Sequence, residues 1–368
     1  MKNRILTQSI LVIVSILYGT FSARAAESYR LPEPTNRTHH HVRYRVDPGI
    51  ELMAIVQTIS EYPEGFPFLM QQDSCRYKQE VLETFGRFTT HPAVLWLNRQ
   101  CRRRMNFNAP PYIMLYADQH LELRSDLDFD EFVVSRAGGR DSLVAFLGLL
   151  RDFALQSSFN EFFVRHREFY GDIISRTIAE VDSIDHILEL EAFYGTKQKS
   201  YSIVLVSLYN HVGFGNSIVY RSGEREIFDT MGPRGVRGDE PHFGDAEYLN
   251  YLTRHEFSHP FINPLTEKYW DAIKAYEANY EAIPETAKKN VCGSWQECIN
   301  ESMIRAIGVL LAEHENPALG ELVASKERAR GITYLDPLLV ALREYEKNRQ
   351  AYPTFDSYYL RVLEVFKK

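Results

Sequence analysis

Asp245-Ala246-Glu247-Tyr248-Leu249-Asn250-Tyr251-Leu252-Thr253-Arg254-His255-Glu256-Phe257-Ser258-His259-Pro260 is the stretch on which the fold turns. Asp245 after Gly244 is a helix-start signal, because its carboxylate can accept from the free N–H groups of a first turn. Leu252, His255 and His259 then fall on one helical stripe, so both imidazoles can reach a single metal ion. Glu256, beside the first histidine, is placed to take a proton from a water activated by that metal. Pro260 and Asn263-Pro264 are expected to stop the helix at or soon after His259. With 12 His among 368 residues, chance alone produces H-E-x-x-H on the order of a few per cent of the time. The surroundings must therefore decide.

Upstream, Tyr201 to Tyr209 is rich in β-branched and aromatic residues and reads as a buried strand. Asn210 to Asn216 reads as a glycine-containing turn, Ser217 to Tyr220 as a second strand and Glu226 to Met231 as a third. A loop from Gly232 to Gly244 leads into the motif. His211 lies just before the second strand and is a candidate to line a substrate groove. Downstream, Leu265 to Ile283 has amphipathic helical spacing, and Trp295 to about Glu313 reads as a further helix. Ile299, Met303, Ala306, Ile307 and Leu310 make the apolar face of that helix. Glu301 stands beside these positions and would project inward, where an unpaired carboxylate is costly and a metal removes the cost. Glu297, one turn earlier, remains the alternative third ligand or a supporting carboxylate.

An H-E-x-x-H helix followed by a helix carrying Asn300-Glu301 resembles the gluzincin clan, of which thermolysin is the best-known member. That resemblance implies an α+β fold whose catalytic part is zincin-like: a small mixed or antiparallel sheet, the H-E-x-x-H helix and a Glu-bearing helix. It also implies one zinc ion held by His255, His259 and Glu301, with Glu256 as general base. In such folds an edge strand pairs with extended substrate. Two features depart from the pattern. The gap from His259 to Glu301 is longer than in thermolysin, and Arg305 stands where thermolysin carries an Asp that orients a ligand histidine. The chain as a whole resembles the bacterial family of domain of unknown function 4932, regarded mainly as secreted metallopeptidases.

The ends and the composition bound the rest. Residues 1–25 read as a secretory signal peptide, with Lys2 and Arg4 before an apolar core and Ala23-Arg24-Ala25 as the cleavage site. No later segment is long and apolar enough to span a bilayer. The expectation is an exported protein, periplasmic or extracellular. Four Cys in such a compartment suggest disulfides. Of three connectivities, the favoured one pairs Cys292 with Cys298 and Cys75 with Cys101. A net charge of −7 gives no sign of a nucleic-acid surface. Residues 26–45, including His39-His40-His41, read as a polar linker, and 46–198 as a helical N-terminal subdomain in which Pro111 to Tyr116 suggests a short strand. Residues 199–368 form the zincin-like part, ending in helices over Leu335–Lys347 and Phe355–Phe366. Tyr334, Tyr352, His314 and Arg305 are candidates to stabilise an oxyanion. His91, His166 and His186 read as structural. The function expected is zinc-dependent hydrolysis of a peptide or protein substrate. The alternatives are a non-catalytic secreted binding module on the same scaffold, or a zinc amidase acting on cell-wall material.

Overall fold

In the computed structural model, residues 29–181 and 184–367 are described, so the signal-peptide reading lies outside the described residues. The fold is α+β, with a mixed sheet of six strands surrounded by many helices. The strands are β1 (Thr35–His39), β2 (Val42–Val46), β3 (Leu127–Asp128), β4 (Ser200–Leu205), β5 (Gly213–Tyr220) and β6 (Arg225–Met231), in the spatial order β1-β2-β4-β6-β5-β3. β2, β4 and β6 run parallel to one another, while β1, β5 and β3 are antiparallel to their neighbours. Tyr201 to Leu205 are buried without a break, as expected of a central strand covered on both faces. A small hairpin, β7 (Gly235–Arg237) with β8 (Glu240–His242), occupies part of the expected loop. No helix among the described residues is long and apolar enough to cross a membrane.

Several expectations need correction. Thr35 to Arg45, read as part of a linker, forms with Val46 a hairpin paired through β2 to β4, so the N-terminal segment completes the main sheet. Pro111 to Tyr116 belongs not to a strand but to the helix Ala109–Leu115. Pro110 and Pro111 stand at its start, where a fixed φ suits a first turn whose N–H groups have no partner anyway. The segment after Lys268 is not a continuous amphipathic helix. It breaks into 3-10 turns at Trp270–Ala272 and Lys274–Ala282, with Ile273 as its fully buried anchor. Cys292–Cys298 is a disulfide, but Cys75 and Cys101 are separate buried thiols. Cys75 sits at the N-terminus of the helix Arg76–Phe85, whereas Cys101 ends the helix Pro92–Cys101 and donates its S–H to the Asn98 carbonyl.

The largest departure concerns the motif helix, Ala246–Lys268, which runs through both prolines. A proline inside a helix leaves the carbonyl four residues earlier without its N–H partner. For Pro264 that carbonyl belongs to Pro260, and Arg225 Nη1 from β6 donates to it at 2.8 Å. For Pro260 it belongs to Glu256, and β5 closes over it: a Cβ on Gly215 would lie 2.2 Å from Glu256 O. The helix survives because the sheet occupies the two places where its own ladder is interrupted.

Candidate metal centre

The motif helix begins as its sequence suggests, with Asp245 Oδ1 accepting from Tyr248 N at 3.0 Å. Leu249, Leu252, Phe257 and Ile262 anchor it in the core, and it packs against β5, β6 and the helix Trp295–Glu315. This orientation turns His255 and His259 toward the third helix, their rings 5.0 Å apart and nearly perpendicular. In that helix Ser294 Oγ accepts from Glu297 N, and Glu297 Oε2 accepts from Gly293 N at 2.7 Å. Glu297 is thus occupied in capping the helix start, which the Cys292–Cys298 bridge also fastens. Glu301, one turn further on, faces the two histidines.

His255 Nε2 lies 3.6 Å from Glu301 Oε2, and His259 Nε2 lies 3.5 Å from Glu301 Oε1. The donor atoms of all three residues fall within 4.8 Å of one another, and theirs is the one such group found among the described residues. Those separations are too long for hydrogen bonds. The His259–Oε1 separation matches that of neighbouring ligands around a tetrahedral ion, where bonds of about 2.0–2.2 Å place donors about 3.3–3.6 Å apart, and His255 Nε2 lies against the same carboxylate. Burial first, then the nearby Arg305, His259 and Arg330, pushes the His255 imidazole well below its usual range, so its ring stays neutral with a lone pair to offer. The residues present therefore fit a zinc ion.

Glu256 is buried under β5. Its Oε2 accepts from the Gly215 N–H at 2.7 Å, and a Cβ on Gly213 would lie 2.9 Å from its Oε1. Residues 210–216, read from sequence as a turn, therefore include the first half of a strand. Glycine recurs there because the helix leaves no space for side chains. Burial pushes the Glu256 carboxyl up, against the lowering influence of His259; Glu301 adds to the rise and the Gly215 N–H opposes it. Asp229 pairs directly with Gly215 across the β5–β6 ladder. It therefore points to the same sheet face, toward the motif helix. Asp229 is fully buried, neither oxygen has a geometric hydrogen-bond partner among the described residues, and burial and then Glu256 hold its carboxyl far above the carboxylate range, against a smaller lowering influence of the Phe214 backbone. Nothing in its own segment distinguishes Asp229 in sequence, and only the register reveals it.

Two grooves flank the cluster. One, of about 850 Å³, is bordered by His259 and by Gly215 to Ser217 of β5, with Phe107 and Phe132 from the N-terminal half also on its lining. The other, of about 710 Å³, is bordered by His255, Tyr248, Tyr251 and Arg305. β3 pairs only with Val219 and Tyr220, so the Gly213–Asn216 half of β5 carries no further strand among the described residues. Of the oxyanion candidates, only Arg305 is at the site. Tyr334 packs against Trp295 and Phe366, Tyr352 against Tyr358, and His314 contacts Glu346. His211 contacts the Arg234 carbonyl and lines neither groove. His91 accepts from the Ala93 N–H at the start of its helix, and His166 and His186 face Glu80 and Glu189, in keeping with structural roles.

Besides Asp229, three residues at the site were not singled out from sequence. Tyr251, one turn before His255, stacks on its ring at 5.8 Å and 20°. Its i, i+4 spacing to His255 was the available signal. Glu327 and Arg330 arrive from the helix Pro317–Ala329 and its end, and no local pattern marks them.

The family described as Domain of unknown function (DUF4932) matches residues 42–365. No curated protein and no solved structure matches the chain.

Proposed function

The chain belongs to the DUF4932 family, and from the site itself we propose that it is an exported zinc-dependent hydrolase that cleaves peptide bonds. The observation that carries this reading is the convergence of His255, His259 and Glu301, with donor atoms within 4.8 Å of one another, beside a buried acid held by a strand edge. His255 and His259 would hold the ion through Nε2, and Glu301 through a carboxylate oxygen. When bound, zinc supplies a Lewis acid that acidifies water and polarises a carbonyl. Glu256 accepts the proton of the attacking water and passes it to the leaving amine. Its Oε2 is fixed by Gly215, and its dry surroundings raise its basicity above that of an ordinary carboxylate. The open half of β5 offers main-chain groups to an extended peptide lying along the groove. The Cys292–Cys298 bridge supports an oxidising compartment, periplasmic or extracellular.

The test is Glu256→Gln in the mature protein, assayed for metal content and for cleavage of a denatured protein. Retention of about one zinc per chain with loss of hydrolysis by several orders of magnitude is the expected result. Undiminished cleavage by the variant would remove Glu256 from its role. A wild-type protein that binds no zinc would remove the reading altogether.

A further inference from the structure

Arg305 resolves the departure from the gluzincin pattern noted in the sequence. It lies one turn after Glu301 on the same helix and directs two donors at a single oxygen: Nε at 3.0 Å and Nη2 at 2.9 Å, both to Glu301 Oε2. A carboxylate oxygen has two lone pairs, so Oε2 is fully engaged. Oε1, facing His259, receives no donor from Arg305. The far side of the guanidinium is held just as firmly. Arg305 Nη1 donates to Glu327 Oε2 at 3.0 Å and to Tyr251 OH at 2.8 Å. Glu327 is fully buried, and its Oε1 accepts from Tyr251 OH at 3.0 Å and from Arg330 Nη1. Two acids and two guanidiniums alternate, so the charges cancel around the buried Glu327, with Arg330 half-exposed at the rim. The cluster joins the motif helix through Tyr251, the Glu301 helix through Arg305, and the following helix through Glu327.

We propose that Glu327 and Arg305 are positioning residues that hold Glu301 to one free oxygen, so that the metal centre has three protein donors and keeps a position open. This rests on the zinc reading above. Glu327 touches no proposed ligand and reaches Glu301 through Arg305. With Arg305 released, Glu301 is free to turn both oxygens toward the ion, which raises the donor count and closes the open position. Groups that orient a ligand in this way influence metal affinity by about 10–100-fold. Tyr251 adds a second link, since it anchors Glu327 and stacks on His255.

The experiment compares the wild type with Glu327→Gln and Arg305→Lys, which keep side-chain size or charge but lose the paired geometry. Zinc affinity is measured by chelator competition, the thermal midpoint of the metal-free protein is recorded, and the visible absorption of the cobalt(II)-loaded forms is read. Expected results are a 10–100-fold weaker zinc affinity in each variant, and weaker cobalt bands as four-coordination gives way to five. Glu327→Gln combined with Arg305→Lys should weaken binding no more than the worse single variant, since both act on one path. Unchanged affinity and spectrum with only a lowered thermal midpoint would reduce Glu327 to a structural residue and overturn the proposal. Additive losses would overturn the shared path. If Glu327→Gln does not fold, Tyr251→Phe removes one donor to Glu327 without altering charge and must weaken zinc binding in the same direction. A wild type that takes up zinc while its variants match it refutes this inference alone; a wild type that takes up none refutes the zinc reading as well.

Discussion

Gly215→Ala is the most searching perturbation of the site, because it adds one methyl group at a place where the structure has none to spare. The new Cβ would meet Glu256 O at 2.2 Å and its carbonyl carbon at 2.9 Å. That is more than about 1 Å inside ordinary contact, and neither atom is the mobile end of a side chain. β5 and the motif helix must separate by roughly that amount. The 2.7 Å bond from Gly215 N to Glu256 Oε2 would then stretch beyond hydrogen-bonding range. Losing a bond to a charged acceptor costs about 1.5–3 kcal/mol, and overpacking costs about 1–3 kcal/mol more. A total near 3–5 kcal/mol is a large part of the 5–15 kcal/mol typical of a folded protein. If Glu256 is the base, a displacement of about 1 Å should also cost on the order of 100-fold in kcat. Urea unfolding and peptide hydrolysis measure the two effects, with zinc content as a third reading that should hardly change. Gly148→Ala is the control: it lies in the helix Arg140–Gln156 with nothing within 4 Å of a new Cβ. It should stabilise by about 1 kcal/mol. A Gly215→Ala protein with wild-type stability and activity would refute the close approach and the role of Gly215 in holding Glu256.

Three further outcomes are expected. Glu51 is buried against Tyr77 OH at 2.6 Å, and burial raises its carboxyl from 4.5 to about 7. The folded state then holds a proton that the unfolded state releases, so about 3 kcal/mol of stability present below pH 4.5 is lost as pH rises through 7. Glu51→Gln should flatten that slope relative to wild type in denaturation midpoints at pH 5 and 8, and parallel profiles would contradict it. Arg225→Met should cost about 1–2 kcal/mol by orphaning the Pro260 carbonyl. The cost should shrink in a Pro264→Ala background, which restores a helical N–H to that carbonyl, and a strictly additive cycle would exclude the compensation. Reduction of Cys292–Cys298, which closes a loop across a separation of 6 residues, should lower stability by about 2 kcal/mol; no change in unfolding midpoint on adding reductant would count against it.

What could be read from the sequence was whatever has a local physical cause. Asp245 marks the helix start, the β-branched and aromatic run from Tyr201 marks β4, and the facing of His255 and His259 follows from helical spacing alone. Glu301 was identifiable because a carboxylate beside Met303 and Ile307 needs a partner. Readings failed where a distant segment settles the local conformation. Gly213 and Gly215 signal a turn in isolation, yet they are strand residues because the helix around Glu256 excludes side chains. Pro260 and Pro264 read as helix breakers, yet Arg225, 35 residues before Pro260, accepts the task of the missing N–H. Glu327 lies 76 residues from Tyr251, and only the packed fold brings them together. Val42 to Val46 carries no sign of its partner at Tyr201 to Val204.

The sheet belongs to both halves of the chain, and that has a practical meaning for anyone seeking a minimal fragment that carries the His255–His259–Glu301 cluster. A cut near residue 198 would strip β2 from β4 and leave the apolar run Tyr201–Leu205 as a bare edge, open to pairing with other molecules. It would also remove Tyr112, whose hydroxyl donates to the Ser217 carbonyl of β5 at 2.8 Å, and Asn108, which reaches the Asn216 side chain. The strand that holds Glu256 is thus moored at its middle by residues more than a hundred positions earlier. Such a fragment would aggregate before its histidines could be assayed. The smallest piece that keeps β4 covered on both sides is the whole span from β2 to the C-terminal helices.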